Sequence, residues 1–554
     1  MKLSRESIDQ KLVLLRGEAE ERDALRRAKS ESLPYLDLGG KPIDSSALEL
    51  IPRALAEEAR AAAFALKGKR LALALYSKEF SKTQKLIKSL EERGFKLDIF
   101  VVSLSGLSQA WNYYPKRVQP TESAASEARL DGHFLEEIKN KVKSVADLAA
   151  RLQEQSEKIS TTDILKIIFS GALVLEVSDI HLEHVSKEKG LLRFRTDGIL
   201  RDIAHFPSGL ITSIVSRLKL LSKLKLNITD APQDGRFTIQ ADEGPIEART
   251  SIVPTEFGEA AVLRILNPQV IAMSFSDLGL REDDEKIVEK ELTRPNGMIL
   301  VTGPTGEGKT TTIYAFLKKI RTSAQKIITI EDPIEYHLEG VEQTQIDPKS
   351  GYTFAAGLRS VLRQDPDIIL VGEIRDLETA QTAIHAALTG HLVFSTLHTN
   401  NAAGAIPRLI DLGVKPSVIG PALVLIIAER LVRRLCLKCR KEITINKTLE
   451  EKLEKFLSRL PKKASRAKIK PKLFEAVGCP ECSEGYKGQV GLFEVLETGE
   501  ELGMLIKKEA AEEEIMKAAK KAGMVGMQED GLIKALEGIT TLAEVERATG
   551  PVEW

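Results

Sequence analysis

The sequence predicts an α/β protein whose main body is a parallel sheet built from βαβ units, and three observations carry that expectation. After Asn296, short apolar runs at residues 298–302, 327–330, 368–371 and 392–395 alternate with helical stretches, the pattern of a parallel sheet covered by helices on both faces. A glycine-rich loop lies between the first apolar run and the helical stretch after it. The chain has 554 residues, enough for about three or four domains with separate cores.

Taken in order, residues 1–32 are rich in Lys, Arg, Glu and Asp with sparse Leu and read as a charged arm, helical and solvated or partly ordered. Residues 33–115 predict a small α/β domain: a helix-like run over 47–66, a strand at 70–76, a helix at 81–93 and a strand at 97–102. The charged, aromatic-poor stretch 116–160 reads as a linker with helical segments. A second α/β domain is expected over 161–268, with strand-like pieces at 181–183, 191–196, 236–239 and 260–265. The parallel core follows at 269–435, then a Lys-rich insert bounded by cysteine pairs at 436–482, and a helical region at 483–554.

Composition narrows the function. Lys+Arg and Asp+Glu both total 80, with a sequence pI of about 7.1, which is not the basic footprint of a nucleic-acid binder. The longest charge-free apolar stretches, 418–428 and 167–175, fall short of the roughly 18 residues that a membrane-spanning helix needs. The N-terminus is charged from Lys2 to Lys29 without an apolar signal region, so a cytoplasmic protein is expected.

The most specific signal is the loop Gly303, Pro304, Thr305, Gly306, Glu307, Gly308, Lys309, Thr310, followed by Thr311. It matches GxxxxGK[ST] in the strand–loop–helix setting that motif requires. Its amides can close around phosphates, Lys309 can neutralise the β and γ groups, and the Thr310 hydroxyl suits Mg²⁺. ATP and Mg²⁺ are therefore expected. Hydrolysis also needs an acid near the γ-phosphate. Glu373, just past the apolar run 368–371, is the candidate, either to position or deprotonate water or to hold Mg²⁺ through water. Asp332 and Glu335 follow the run 327–330, and His391 and His398 flank the run 392–395; these strand ends are expected to converge on one site.

The blocks GPTGEGKTTT, ITIEDPIEY, GLRSVLRQDPDIILVGEIRD and TGHLVFSTLHTNNA together resemble the secretion ATPase superfamily that powers type II secretion and type IV pilus assembly. The resemblance covers residues 160–554, and more weakly 33–110. It implies a RecA-like P-loop core preceded by a PAS-like α/β domain, and roles for Lys309, Thr310, Asp332, Glu335, Glu373, His391 and His398. It also implies that Arg249 and Arg264 reach the γ-phosphate when the second domain closes, with Arg236 assisting. Glu307 stands where the family usually has a small residue such as Ser, and its carboxylate should point away from phosphate. The Walker B strand ends in Gly372 and Glu373, so the sequence does not divide metal-holding from water-positioning.

Cys436, Cys439, Cys479 and Cys482 form two CxxC pairs with 39 residues between them. Four thiolates close a tetrahedral Zn²⁺ site, which is then structural and not catalytic. The resemblance supports this, since assembly motors carry such an insert and retraction motors typically lack it. It further implies a homohexamer at the cytoplasmic face of the inner membrane, held there by a membrane platform protein, with no specific nucleic-acid partner. Type IV pilus assembly and type II secretion are not separable from the sequence. The alternatives are a nucleotide-gated scaffold with little turnover, or a retraction or DNA-uptake motor.

Overall fold

The computed structural model describes residues 19–38, 41, 43–114, 128–130, 132–155, 159–241, 244–266, 273–461, 464, 472–552 and 554. They divide into two compact units, Met1–Leu266 and Asn267–Trp554. The beginning of the charged arm, residues 1–18, and the first part of the expected linker, residues 116–127, lie outside the described residues.

The first unit holds two sheets. The smaller has the order Ala61–Lys67, Arg70–Leu75, Lys96–Val101, the first pair antiparallel and the second parallel. Here the structure departs from the helix expected over 47–66. Only Ser45–Leu48 and Arg53–Glu58 are helical, and residues from Ala61 onward form a strand. Ala61, Ala62 and Ala63 favour a helix in isolation. Their antiparallel pairing with Arg70–Leu75 and full burial decide otherwise. Part of the charged arm is also docked and not solvated: residues 19–30 are helical, Ala24 and Ala28 are buried, and Arg27 Nε donates to the Tyr76 carbonyl at 3.2 Å.

The larger sheet of this unit has seven strands in the order Ala128–Arg129, Gln233–Ala241, Gly244–Thr255, Gly258–Leu266, Asp179–His184, Lys189–Thr196, Ile199–Pro207. Its inner face carries Leu182, Leu192, Phe194, Phe237, Ile239, Ala248, Ile252, Ala261 and Leu263 against the apolar sides of helices Thr161–Val174 and Ser208–Leu221. The alternate residues of each strand face the other way. The stretch expected to be a linker joins this core, because Leu148 and Leu152 of helix Val145–Gln155 are buried in it.

The second unit is built on a seven-stranded sheet, in the order Glu342–Gln345, Ile327–Glu331, Ile368–Val371, Leu392–Leu397, Gly297–Thr302, Leu423–Leu435, Tyr486–Glu497. The first six are parallel and the last is antiparallel. Central strands are apolar on both faces because both are covered. Met298, Leu300, Ile330, Ile369 and Val393 enter one core, while Ile299, Val301, Ile327, Leu370 and Phe394 enter the other, the period-two split of a doubly covered sheet. Residues 483–554, expected to be helical, begin instead with strand Tyr486–Glu497, which pairs along nearly all of Leu423–Leu435, and only then continue as helices. In the insert, Lys441–Ile443 pairs antiparallel with Leu473–Glu475, and helix Lys447–Arg459 buries Leu453 and Phe456 beside Leu532 and Val545 of the C-terminal helices.

Candidate active site

Strand Gly297–Thr302 runs into the glycine-rich loop, and helix Lys309–Ile320 leaves it. Gly303 and Gly308 take φ of 155° and 97°, values open to glycine at little cost. A Cβ on Gly303 would stand 2.7 Å from the Glu429 carbonyl oxygen, so the loop lies directly on strand Leu423–Leu435. Lys309 is buried, and its Nζ donates to the carbonyls of Gly303 at 2.8 Å and Pro304 at 2.6 Å. Burial lowers its pKa, against the opposing pull of Glu429, Glu307 and Glu373. The start of the helix adds amides and the positive end of its dipole, a cradle for phosphate.

The Glu307 carboxylate is turned to the neighbouring strand, where it accepts the Leu431 amide at 2.5 Å. That bond holds the carboxylate against strand Leu423–Leu435, where it also acts electrostatically on Lys309. Beneath the loop lies a residue that sequence reasoning missed. Glu429 is 1% exposed. One of its carboxyl oxygens accepts the Thr312 hydroxyl at 2.6 Å, and the other has no hydrogen-bond partner among the described residues. Burial pushes its pKa up to about 8, with Glu307 adding to the rise and the Thr312 bond and Lys309 opposing it. An acid in the middle of the run LVLIIAERLV was the available signal, since a charge there must be buried with the strand.

Glu373 follows strand Ile368–Val371 at the same carboxyl edge of the sheet as the loop. It pairs with Arg375 at 2.5 Å, and His398 Nε2 lies 3.4 Å from its other oxygen. Strand Leu392–Leu397 is tied to the loop strand where both end, through Thr302 Oγ1 and the Thr399 hydroxyl at 2.7 Å. Asp332 and Glu335 follow strand Ile327–Glu331 at this edge, Asp332 exposed and Glu335 half-buried. Behind them Glu331 is buried, accepting from the Tyr314 hydroxyl, from Thr329 at 2.5 Å and from Gln343 at 3.1 Å; Tyr314 lies on the helix leaving the loop. Burial raises the pKa of Glu331. Asp376 caps helix Leu377–Leu388 through the Thr379 amide at 2.8 Å.

The expected convergence fails for His391. It precedes strand Leu392–Leu397, bonds to the Ala386 carbonyl at 3.0 Å, and accepts the Gly297 amide on its own carbonyl at 3.1 Å. Gly297 is the start of the loop strand, so His391 lies at the amino edge. In parallel strands the two ends of a six-residue segment stand about 20 Å apart, so only His398 joins Glu373.

In the first unit the strand register brings the three arginines together. Arg249 is the cross-strand partner of both Arg236 and Arg264. All three lie opposite the inward Phe237, Ala248 and Leu263, on the outer face of the sheet.

The four cysteines gather in one cluster, with all Sγ atoms within 4.8 Å of one another. The pairs Cys436–Cys479, Cys439–Cys482 and Cys479–Cys482 are 3.9, 3.6 and 3.5 Å apart. A tetrahedron with metal–sulfur bonds of about 2.3 Å has sulfur edges of about 3.8 Å. The cluster therefore fits a metal of that kind.

A glycine cradle at the carboxyl edge of a parallel sheet, with an acid on a strand two places away, defines a P-loop ATPase. A family model described as "Type II/IV secretion system protein" matches residues 153–547. The type II secretion system ATPase E of Vibrio cholerae is 39% identical over 450 residues, covering 80% of this chain and 86% of that protein. The type IV pilus assembly ATPase PilB of Acinetobacter baylyi is 43% identical over 380 residues, covering 68% of this chain and 64% of that protein. Among solved structures, the ATPase DotB of Yersinia pseudotuberculosis superposes with a TM-score of 0.51 at 19% identity, over 71% of this chain and 94% of that one, a likeness of fold. The chain belongs to the type II/IV secretion system protein family, as an ATP hydrolase serving secretion or pilus assembly. No helix among the described residues is long and apolar enough to cross a membrane.

Proposed function

We propose that this ATPase is a hexameric motor at the cytoplasmic face of the inner membrane that drives assembly of a type IV pilus or of a type II secretion pseudopilus through a membrane platform protein. The observation that carries the reading is the shared carboxyl edge, where Glu373 lies close enough to act electrostatically on Lys309 and has His398 3.4 Å away. Lys309 and the loop from Gly303 to Thr311 hold the triphosphate. Bound Mg²⁺ neutralises charge on the phosphate oxygens, and Thr310 and Glu373 are the donors that fit it. Glu373 orients or deprotonates the attacking water, His398 steadies that carboxylate, and Asp332 and Glu335 supply the second acidic group of the site. In this reading residues 33–115 form a docking domain and 436–482 the cysteine insert, while the arginine-bearing domain expected at 161–268 takes in helix Val145–Gln155 and the ATPase core expected at 269–435 takes in strand Tyr486–Glu497.

Arg249 and Arg264, assisted by Arg236, contact the γ-phosphate of the same or a neighbouring subunit as the second domain closes. An arginine supplied this way contributes about 10³ to 10⁵ in rate, so closure gates hydrolysis and couples it to movement. The cysteine cluster takes Zn²⁺ and serves as a structural clip. Steady-state hydrolysis of MgATP by the full chain at increasing protein concentration tests the ring. Turnover per chain should rise and then level off as subunits assemble; turnover independent of concentration, from a protein that remains monomeric, would contradict it.

A further inference from the structure

The arginine row has an acidic member. Arg264 is the cross-strand partner of Asp179, which is in turn the partner of Arg195. The sheet therefore carries Arg236, Arg249, Arg264, Asp179 and Arg195 side by side across five strands. On strand Asp179–His184 the inward residues are Ile180 and Leu182, so Asp179 belongs to the same outer face as the arginines. It is nonetheless only 5% exposed. Oδ1 accepts Arg264 Nε at 3.0 Å, while Oδ2 accepts the Ser178 hydroxyl at 2.9 Å and lies 3.5 Å from Arg195 Nε.

A guanidinium engaged through Nε has its outer Nη edge turned away from the carboxylate, and that edge is the fork that matches two phosphate oxygens. Among the described residues the Nη groups of Arg264 take no protein partner, and the residue is half exposed. A half-exposed arginine keeps several rotamers open unless an anchor holds it. Asp179 supplies that anchor from a buried position.

We propose that Asp179 is a positioning residue for hydrolysis, fixing Arg264 with its Nη edge presented to the γ-phosphate. This rests on the arginine-closure reading above, and the variants separate the two. Asp179→Asn retains a similar shape and an acceptor but loses the charge; Asp179→Ala loses both. Each is made in full-length protein with Arg264 intact and with Arg264→Ala, and kcat, the KM for MgATP, nucleotide affinity and thermal midpoint are measured.

With Arg264 intact, Asp179→Ala should lower kcat about tenfold or more, the scale of one hydrogen bond between charged groups, and Asp179→Asn should lower it less. KM and nucleotide affinity should stay within about twofold, since nucleotide binding belongs to the phosphate loop. In the Arg264→Ala background neither change should lower kcat further. An unchanged kcat, or the same drop in both backgrounds, would overturn the role of Asp179. Should Asp179→Ala fail to fold, Asp179→Asn at the wild-type thermal midpoint decides on the same criteria. Wild-type turnover by Arg264→Ala alone would overturn the arginine reading, and the Asp179 proposal with it.

Discussion

Replacing Glu429 by Gln should change the pH dependence of stability in a direction fixed by the structure. The carboxyl is 1% exposed, accepts the Thr312 hydroxyl at 2.6 Å, and has its second oxygen unpaired among the described residues. Its pKa is about 8 in the folded chain against 4.5 for an ordinary Glu. Between those values the unfolded chain has lost this proton and the folded chain keeps it. Unfolding in that window releases a proton, so the contribution to stability falls as pH rises from about 4.5 to about 8 and levels off above. At 1.36 kcal/mol per pKa unit the full loss is on the order of a few kcal/mol. Gln keeps the acceptor for Thr312 and does not titrate. The assay is the apparent thermal midpoint of full-length wild type and Glu429→Gln from pH 5 to pH 9. The variant should gain on the wild type steadily with pH and hold its advantage above pH 8. Parallel profiles, or an advantage that grows towards acid, would contradict a buried Glu429 that keeps its proton in the folded chain.

Two further outcomes follow from the same geometry. Glu307 places a carboxylate on the phosphate loop and ties it to the Leu431 amide, so Glu307→Ser should tighten MgATP binding a few-fold by removing a like charge; titration calorimetry giving unchanged or weaker binding would contradict this. The cysteine cluster should carry about one zinc per chain by elemental analysis, and Cys479→Ser should lose the metal and lower the thermal midpoint, because a structural site contributes its binding energy to folding.

Much of the core was legible because its central strands are buried on both faces. The runs 327–330 and 368–371 stand out as apolar whichever way their side chains point, and the observed strands Ile327–Glu331 and Ile368–Val371 differ by at most one residue. Strand Ala61–Lys67 was hidden by alanines whose local preference is helical, a preference overridden by its hairpin partner. Tyr486–Glu497 was hidden by Gly488 and Gly491, which interrupt its apolar pattern. At the site, the phosphate loop was plain from spacing alone. His391 precedes its strand and His398 follows it, so parallel polarity sends His391 to the opposite edge. Cross-strand register cannot be read from the spacing of Arg236, Arg249 and Arg264, so their side-by-side placement, and Asp179 within the same row, came only with the sheet. Glu429 was visible as a letter, but the loop resting on it depends on which strand lies next to Gly297–Thr302.

In the proposed function this chain turns over MgATP with Glu373 as the acid at the γ-phosphate. Hydrolysis and nucleotide affinity measured together for the wild type and Glu373→Gln, at protein concentrations that allow assembly, test it most directly. The wild type should show Mg²⁺-dependent turnover, and the variant should bind ATP with near wild-type affinity and lose turnover by about a hundredfold or more, the lower scale of general-base catalysis. A Glu373→Gln variant that hydrolyses ATP at the wild-type rate, or a wild type that binds ATP tightly and never turns it over, would contradict it.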